Sequence, residues 1–190
     1  MPPLLTFNDA WPFIDSIGGF YERDEMELLW TEAARVPKEG HILEIGCEQG
    51  RSTSCLLLAS RAFLTIIDPF IYGEETRTAF IENMRRLRKE FNRKEPFMYD
   101  LIQERSQECL IDGKFDLIHV DGGHDLEDVL TDCVRFESRT KSGGIMTVHD
   151  YGRESLPDVQ AAVDQFLASR SMTWSKVQRT GTLLTIRKVA

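Results

Sequence analysis

The chain has 190 residues, of which 42% are hydrophobic and 28% are charged, and this composition suits one soluble domain that can bury its own core. Its formal net charge of −8 disfavours a general electrostatic affinity for DNA or RNA and favours a small-molecule partner. No stretch approaches the roughly 20 apolar residues that span a bilayer, and the N-terminus lacks the basic start of a signal peptide, so we expect a cytoplasmic protein without a membrane partner.

Residues 1–21 form an N-terminal arm, and residues 22–190 are predicted to form the domain. Proline and glycine interrupt regular structure, so Pro12, Gly18 and Gly19 predict an irregular arm. Its aromatic residues indicate either a flap packed on the domain, which is the favoured interpretation, or one wall of a pocket. The domain is predicted to begin with a helix over residues 22–36.

A strand, a glycine-bracketed loop and a helix are predicted over residues 41–60. A short apolar run suits a buried parallel strand, and Gly46 and Gly50 bracket the turn that leads into the helix. Glycines let a ligand approach the backbone, and the first N–H groups of a helix are unpaired donors, so we expect a ligand here. Glu44 supports this interpretation because a carboxylate in a buried strand needs partners. We predict that it accepts hydrogen bonds from loop N–H groups or binds a cationic ligand.

A second strand is predicted over residues 63–68 and ends in the carboxylate of Asp68. In nucleoside-binding α/β folds, an acidic residue at this place accepts both hydroxyls of a ribose, because two oxygens match a vicinal diol. Dinucleotide-binding dehydrogenases share the feature. It therefore predicts a nucleoside-containing cofactor without distinguishing which one.

Helices and strands continue to alternate along the rest of the chain. Further helices are predicted over residues 73–92, 106–110, 125–137 and 157–169. Further strands are predicted over residues 97–102, 115–121, 145–148, 173–178 and 181–188, with a turn over residues 142–144. This alternation, closed by a hairpin at Thr180 and Gly181, predicts an α/β fold with a doubly wound, mostly parallel sheet.

Polar side chains follow two strands that we expect to be neighbours. Asp121 and His124 follow one strand, and His149 and Asp150 follow the next. Together they can bind a divalent ion, which would neutralise the carboxylates and lower the pKa of a bound hydroxyl. Each residue alone could be a helix cap or an ordinary strand end, but two such groups together favour a metal or substrate site. Three further acids share one face of the next helix and are assigned to solvent: Asp125, Asp128 and Asp132.

Three motifs carry a resemblance to a known family. The stretch E-I-G-C-E-Q-G-R-S resembles motif I of the class I S-adenosylmethionine (SAM) methyltransferases, with Glu48 where the commonest form has its middle glycine. The stretches D-G-G-H and H-D-Y-G resemble the D-G-x-H and x-D-Y-G motifs of a metal-dependent group that includes macrolide-sugar O-methyltransferases and cephalosporin hydroxylase-like proteins. The similarity runs from about Ile17 to the C-terminus. It implies a seven-stranded, Rossmann-like methyltransferase sheet whose last strand is antiparallel.

The resemblance also implies roles for individual residues. It implies a SAM site formed by Glu44, Gly46, Cys47, Gly50, Ser52, Asp68 and Ser106. It implies that Asp121 and Asp150 hold Mg²⁺ or another divalent ion, with His149 in place of the first acid of the family's pair, so that a softer ion or no ion is an alternative. It implies that His124 is the catalytic base, since an unperturbed imidazole with a pKa of about 6.5 can accept a hydroxyl proton at neutral pH.

We therefore expect a SAM-dependent O-methyltransferase that acts on a small molecule, a sugar or a sugar-bearing metabolite. Two alternatives stay open. A nicotinamide-dependent oxidoreductase would share the glycine loop and Asp68, although the full G-x-G-x-x-G fingerprint is absent. A non-catalytic SAM-binding protein would have lost the metal through His149. The sequence is compatible with a homo-oligomer.

Overall fold

A computed structural model describes residues 5–91 and 96–189, which form a seven-stranded sheet and the helices around it. The strands are β1 (His41–Ile45), β2 (Phe63–Ile67), β3 (Tyr99–Ile102), β4 (Phe115–Val120), β5 (Thr140–Val148), β6 (Trp174–Thr180) and β7 (Leu183–Lys188). The helices are α1 (Phe7–Asp15), α2 (Arg23–Ala34), α3 (Arg51–Ala59), α4 (Glu74–Glu90), α5 (Leu126–Glu137) and α6 (Pro157–Ser169). Within the described ranges, these helices lack the combination of length and apolarity that a bilayer span requires.

The strand order β3-β2-β1-β4-β5-β7-β6 confirms the predicted doubly wound, mostly parallel sheet. β1 lies parallel to β2 on one side and to β4 on the other. The last strand, β7, runs antiparallel between β5 and β6. The chain therefore builds outward from β1 to one edge and then returns to build the other half from β4. In open α/β sheets, ligands bind beyond the carboxyl ends of the strands at this reversal.

Two apolar clusters cover opposite faces of the sheet. Along β1, Ile42 packs in one cluster and Leu43 in the other, because successive side chains of a strand point to opposite faces. The first cluster includes residues of α1, α2, α3 and α4, and the second includes residues of α5 and α6. The strands are thus held between two helical layers, which fixes the positions of the loops at their carboxyl ends.

The N-terminal arm contains a helix, so the prediction that it is irregular was wrong. A capping box starts α1: the Thr6 hydroxyl accepts the N–H of Asp9, and the Asp9 carboxylate accepts the N–H of Thr6 at 3.0 Å. Pro12 lies inside the helix and removes one backbone donor. Burial of Phe7 and Phe13 in the first cluster offsets that loss, since aromatic side chains bury a large apolar area.

Two other local predictions were also wrong. No helix forms over residues 106–110; the segment is a single turn in which the Arg105 carbonyl accepts the N–H groups of both Glu108 and Cys109. The predicted turn over residues 142–144 lies inside β5, where the pairing with β4 shifts register and Gly143 adopts a φ of +73°. A glycine such as Gly143 is compatible with an irregular strand as well as with a turn, because both can require a positive φ.

The strand predicted over residues 145–148 begins five residues earlier, at Thr140, and the other predicted elements form within two residues of their expected bounds. The helix predicted over residues 73–92 is α4, and the end of that prediction at Asn92 lies outside the described residues. The hairpin predicted at Thr180 and Gly181 joins β6 to β7, with Gly181 at a φ of +54°.

Candidate active site

A cleft of about 630 Å³ opens at the carboxyl ends of β1, β2, β4 and β5. This volume is in the range of small-molecule sites. Residues 18–21 of the arm line part of the cleft, and α1 packs on the domain. One part of the arm is therefore a wall of the pocket, and another part is a packed flap. Most of the predicted site residues line the cleft: Gly46, Cys47, Ser52, Asp68, Ser106, Asp121, His124, His149 and Asp150.

The glycine loop between β1 and α3 is pressed against the end of β4. Gly46 adopts a φ of +83°, and a Cβ atom built on it would lie 1.9 Å from the carbonyl oxygen of Asp121. Gly50 adopts a φ of +91° as the N-cap of α3, and a Cβ there would meet the side chains of Met84 and Phe80. Gly46 therefore allows the close approach of the loop to β4, whereas Gly50 packs against α4 behind the cleft.

Asp68 supports the glycine loop from the end of β2. Its Oδ2 atom accepts the N–H groups of Cys47 at 2.7 Å and Glu48 at 2.9 Å, and its Oδ1 atom accepts the N–H of Phe70 at 2.6 Å. A carboxylate oxygen has two lone pairs, so Oδ2 is fully used and Oδ1 can accept one more donor. In this geometry one lone pair of Asp68 remains for a ligand, and its predicted role at both hydroxyls of a ribose stays a prediction.

Glu44 does not line the cleft. Its carboxylate is fully buried and accepts the hydroxyls of Ser52 at 2.5 Å and Thr53 at 2.6 Å, in the first turn of α3. These hydroxyls take the place of the loop N–H groups or the cationic ligand predicted as its partners. Burial raises the pKa of Glu44 to about 8, so the side chain keeps its proton at neutral pH.

Replacing Glu44 by glutamine is expected to stabilise the domain at neutral pH. The carboxyl has a pKa of about 8 in the folded protein against 4.5 for an ordinary glutamate. Between pH 4.5 and about pH 8 the unfolded chain has released a proton that the folded protein retains. The contribution of Glu44 to stability is therefore full below the lower pKa and falls as the pH rises. At pH 7 the free energy of unfolding is expected to be lower by roughly 3 kcal/mol than below the lower pKa. The glutamine variant lacks this dependence.

Denaturant unfolding of both proteins at about pH 5 and about pH 7.5 measures the effect, because the stability difference should grow with pH. The exposed Glu127, changed to glutamine, is the control for removal of one acidic group. A difference that is the same at both pH values would contradict a protonated Glu44.

Cys47 and Ser106 line the cleft, and both are buried. Burial raises the pKa of the Cys47 thiol well above its usual range, which suits packing and not reactivity. The Ser106 hydroxyl donates to Asp132 at 2.6 Å, and Asp132 is 1% exposed. The assignment of Asp132 to solvent was therefore wrong. Helix periodicity placed Asp132 and Asp128 on the same face of α5, but it could not show that this face is buried at Asp132.

The predicted carboxylate and imidazole residues meet at the ends of β4 and β5. The Nε2 atom of His124 lies 3.1 Å from Asp150 and 3.9 Å from Asp121, and the Nδ1 atom of His149 lies 3.1 Å from Asp121. The pairing of β4 with β5 produces this convergence, since Val120 and Val148 are partners in the register and precede the cluster. The cluster adjoins the glycine loop through the contact of Gly46 with Asp121.

The set of groups that could hold a metal differs from the predicted one. Ligand atoms of Asp121, His124 and Asp150 lie within 4.8 Å of one another. His149 is outside this set: its Nδ1 atom lies 3.1 Å from Asp121 and 3.5 Å from Asp150, and its Nε2 atom lies 3.5 Å from the carboxylate of Glu25. Although burial opposes the charged form, Asp121, Glu25 and Asp150 raise the pKa of His149 to about 10. By distance, His124 therefore takes the place of His149 in the set.

His124 is itself held in the charged form by its neighbours. The nearby carboxylates of Asp121 and Asp150 raise its pKa to about 9. A cation on those two carboxylates would remove this effect and return the imidazole to a state that can accept a proton at neutral pH. A base at His124 and a metal ion on Asp121 and Asp150 would therefore depend on the same two carboxylates.

A buried tyrosine of the arm completes the cluster and was missed in the sequence. The Tyr21 hydroxyl donates to Asp121 at 2.7 Å and lies 2.6 Å from Nε2 of His119, while its ring stacks on His149 at 3.8 Å. The hydroxyl proton goes to Asp121, so His119 must donate from Nε2, and its Nδ1 accepts from the Thr147 hydroxyl. Burial lowers the pKa of His119 to about 4 and keeps it neutral. A buried tyrosine needs a partner for its hydroxyl, which is the signal that could have pointed to it.

Glu25 of α2 is the second residue that the sequence did not reveal. Besides approaching His149, its carboxylate accepts the N–H and hydroxyl groups of Thr182 in the turn between β6 and β7. Although burial opposes ionisation, the contacts with His149, Thr182 and the Glu22 N–H lower the pKa of Glu25 to about 2. An ionised carboxylate therefore faces the charged His149, and this pair connects α2 and the hairpin to the cluster.

Comparison with known families identifies this arrangement. The sequence matches a family described as a methyltransferase domain over residues 43–151, which is more than half of the chain and includes the glycine loop and the cluster. The chain belongs to this family. The membership confirms the class I methyltransferase resemblance and argues against the nicotinamide-dependent alternative. A search of curated proteins found no significant match.

Solved structures share the fold of this methyltransferase domain at low sequence identity. The methyltransferase PaMTH1 of Podospora anserina, bound to SAH, aligns with a TM-score of 0.68 and 17% identity over 97% of this chain and 87% of its own. An O-methyltransferase of Bacillus cereus, in complex with SAH, gives 0.66 and 14% over 97% and 90%. An rRNA methylase of Streptococcus thermophilus gives 0.66 and 12% over 91% and 100%. At these identities the likeness establishes the fold alone.

The cleft of the methyltransferase domain fits the SAM cofactor that its family implies. The loop before α3 lines the cleft at Gly46, Cys47 and Glu48, and α3 follows Gly50 without a capping side chain, so its first N–H groups are available to a polar ligand. The oxygen and nitrogen donors of Asp121, His124 and Asp150 also suit a divalent ion.

Proposed function

We propose that the protein transfers the methyl group of SAM to a hydroxyl of a small molecule, with assistance from a divalent ion. The observation that carries the proposal is the contact between the cofactor loop and the carboxylate–imidazole cluster, where Gly46 lies against the backbone of Asp121. A methyl donor on the loop and an acceptor at the cluster would be neighbours. Such positioning supplies a large part of the rate of a two-substrate reaction.

On the cofactor side, the proposed contacts come from the backbone of the glycine loop, the remaining lone pair of Asp68 and the region of Ser106. Glu44 acts indirectly, because it fixes Ser52 and Thr53 in the first turn of α3. Gly50 and Cys47 contribute shape. SAM supplies an electrophilic methyl group, and the chain supplies its orientation.

On the acceptor side, Asp121 and Asp150 are the proposed metal ligands, with His124 beside them. A divalent ion would lower the pKa of the acceptor hydroxyl. Tyr21 holds one oxygen of Asp121, which leaves the other directed toward His149 and His124. His124 is 34% exposed in its side chain and lines the cleft, so it can reach a ligand there. We assign it the removal of the hydroxyl proton through Nε2.

A sugar or a sugar-bearing metabolite is the proposed acceptor, by resemblance of the D-G-G-H and H-D-Y-G motifs to those of the sugar O-methyltransferase group. The net charge of −8 favours such a molecule over a nucleic acid. The site would work in the cytoplasm, where SAM is made, and in a monomer or a homo-oligomer.

Calorimetric titration of the purified protein with SAM, SAH and NAD, followed by a mass-spectrometric assay for methyl transfer, tests the proposal. The acceptors are free sugars, glycosides and phenols, each with and without Mg²⁺ or Mn²⁺. We expect binding of SAM and SAH, no binding of NAD, and a mass gain of one methyl group on a hydroxylated acceptor. Binding of SAM without transfer to any acceptor would favour the non-catalytic alternative. Transfer to an amine or to RNA would contradict the assigned acceptor.

A further inference from the structure

Glu48 lies at the crest of the glycine loop, in a conformation that glycine adopts more easily. Its φ is +45°, in the left-handed region, and its N–H is bound by Asp68 at 2.9 Å. It stands where the commonest form of motif I has a glycine, yet here a charged side chain lines the cleft. A non-glycine residue in this region is conformationally costly. A function for the carboxylate would explain why a side chain is present.

The two charged residues that influence the pKa of Glu48 are both acidic. Burial raises the pKa of its carboxyl, and so do the charges of Asp121 and Asp68; Gln49 is its hydrogen-bond partner and is neutral. Three arginines also line the cleft, Arg51, Arg105 and Arg153, but they are not among these influences on the pKa of Glu48. A carboxylate that faces a cleft beside two other carboxylates favours a positively charged ligand there.

The position of Glu48 also limits which part of a ligand it can face. Gly46, two residues earlier, touches the backbone of Asp121. The Glu48 carboxyl is within electrostatic reach of both Asp68, on the cofactor side, and Asp121, in the cluster that receives the acceptor. If the proposed function is right, the methyl-bearing sulfur must lie between these two residues, because the methyl group has to reach an oxygen held near Asp121. That sulfur is a sulfonium cation in SAM and a neutral thioether in SAH.

We propose that Glu48 determines the preference of the site for the positively charged cofactor over its neutral product. The inference rests on the proposed function and adds a role for one residue. Attraction to the sulfonium disappears once the methyl group has left, so the carboxylate would favour binding of the donor and release of the product. The groups that SAM and SAH share, including the ribose and the ammonium, cannot produce such a preference.

Two variants test the role of Glu48. Glu48→Gln keeps the shape and removes the charge, and Glu48→Gly removes the side chain and relieves the left-handed backbone, so that it should fold even if the glutamine variant does not. Glu127→Gln removes an exposed acidic group that does not line the cleft and serves as the matched control. Titration calorimetry gives the dissociation constants of SAM and SAH for each protein.

We expect both Glu48 variants to lower the preference for SAM over SAH by about fivefold, as for a partly solvated charge pair, and the control to leave it unchanged. Weaker SAM binding with unchanged SAH binding would support the role. An equal loss for both ligands, or an unchanged ratio, would overturn it while leaving the cofactor assignment intact. If the unmodified protein bound neither ligand, the proposed function itself would fail.

Discussion

Replacement of His124 by alanine is expected to lower kcat by about 10²- to 10⁴-fold, the range that a general base contributes, while SAM still binds. The imidazole lies 3.1 Å from Asp150 and lines the cleft, and among the described residues no hydrogen bond or ion pair joins it to Asp68 or to the glycine loop. Titration calorimetry with SAM and a methyl-transfer assay on the same preparation measure the two quantities. Unchanged turnover would refute the base assignment.

A matched control separates this effect from the general loss of a histidine. His41 is exposed at the start of β1, at the opposite end of the strand from the cleft, so His41→Ala should leave kcat unchanged. Excess Mn²⁺ then distinguishes the two roles available to His124. If it served only as a metal ligand, saturation with the ion should recover part of the turnover of His124→Ala. If it is the base, the defect should persist at every concentration of the ion.

Replacement of Gly46 by alanine is expected to lower the free energy of unfolding by about 3 to 5 kcal/mol, which a domain of ordinary stability would barely survive. The new Cβ would lie 1.9 Å from the Asp121 oxygen and 2.6 Å from the Asp121 carbonyl carbon. These are backbone atoms of the residue that directly follows β4, whose N–H is bound to the Ile45 carbonyl, and they cannot move aside as a flexible side chain could. Denaturant unfolding followed by circular dichroism measures the loss.

Gly113→Ala is the control for the backbone strain in this comparison. Gly113 has a φ of +92°, close to that of Gly46, and a Cβ built on it meets nothing within 4 Å. Its replacement should therefore show the strain alone, of about 1 to 2 kcal/mol. Equal losses in the two variants would contradict the view that contact with Asp121 is what requires a glycine at position 46.

The regular elements were predictable because their signals are local. The apolar runs of β1, β2 and β4 and the helical spacing of α2 and α6 are visible within a few residues, and these elements form within two residues of the predicted bounds. The failures have local causes as well. In the arm, the prediction gave Pro12 and the glycines more weight than the capping box of Thr6 and Asp9. In the folded protein, the capping box and burial of the aromatic face stabilise a helix.

The candidate site was predictable in membership and less so in detail. Strand ends of a parallel sheet converge, so Asp121 and Asp150 could be placed together before the structure was known. Their partners could not. Tyr21 donates to Asp121 across 100 residues of sequence, and Glu25 binds Thr182 across 157. No periodicity in the sequence encodes such contacts.

By itself, the sequence determined the doubly wound α/β fold, the glycine loop and the set of polar residues at the strand ends. The tertiary structure decided which hydrogen bonds those residues make and which of them carry charge: Glu44 is held by two hydroxyls, Asp68 by three N–H groups, and His149 by acids from two elements. The physical reason is that secondary structure follows the spacing of neighbouring residues, whereas burial and the charges of distant elements set the partners and pKa values of polar groups.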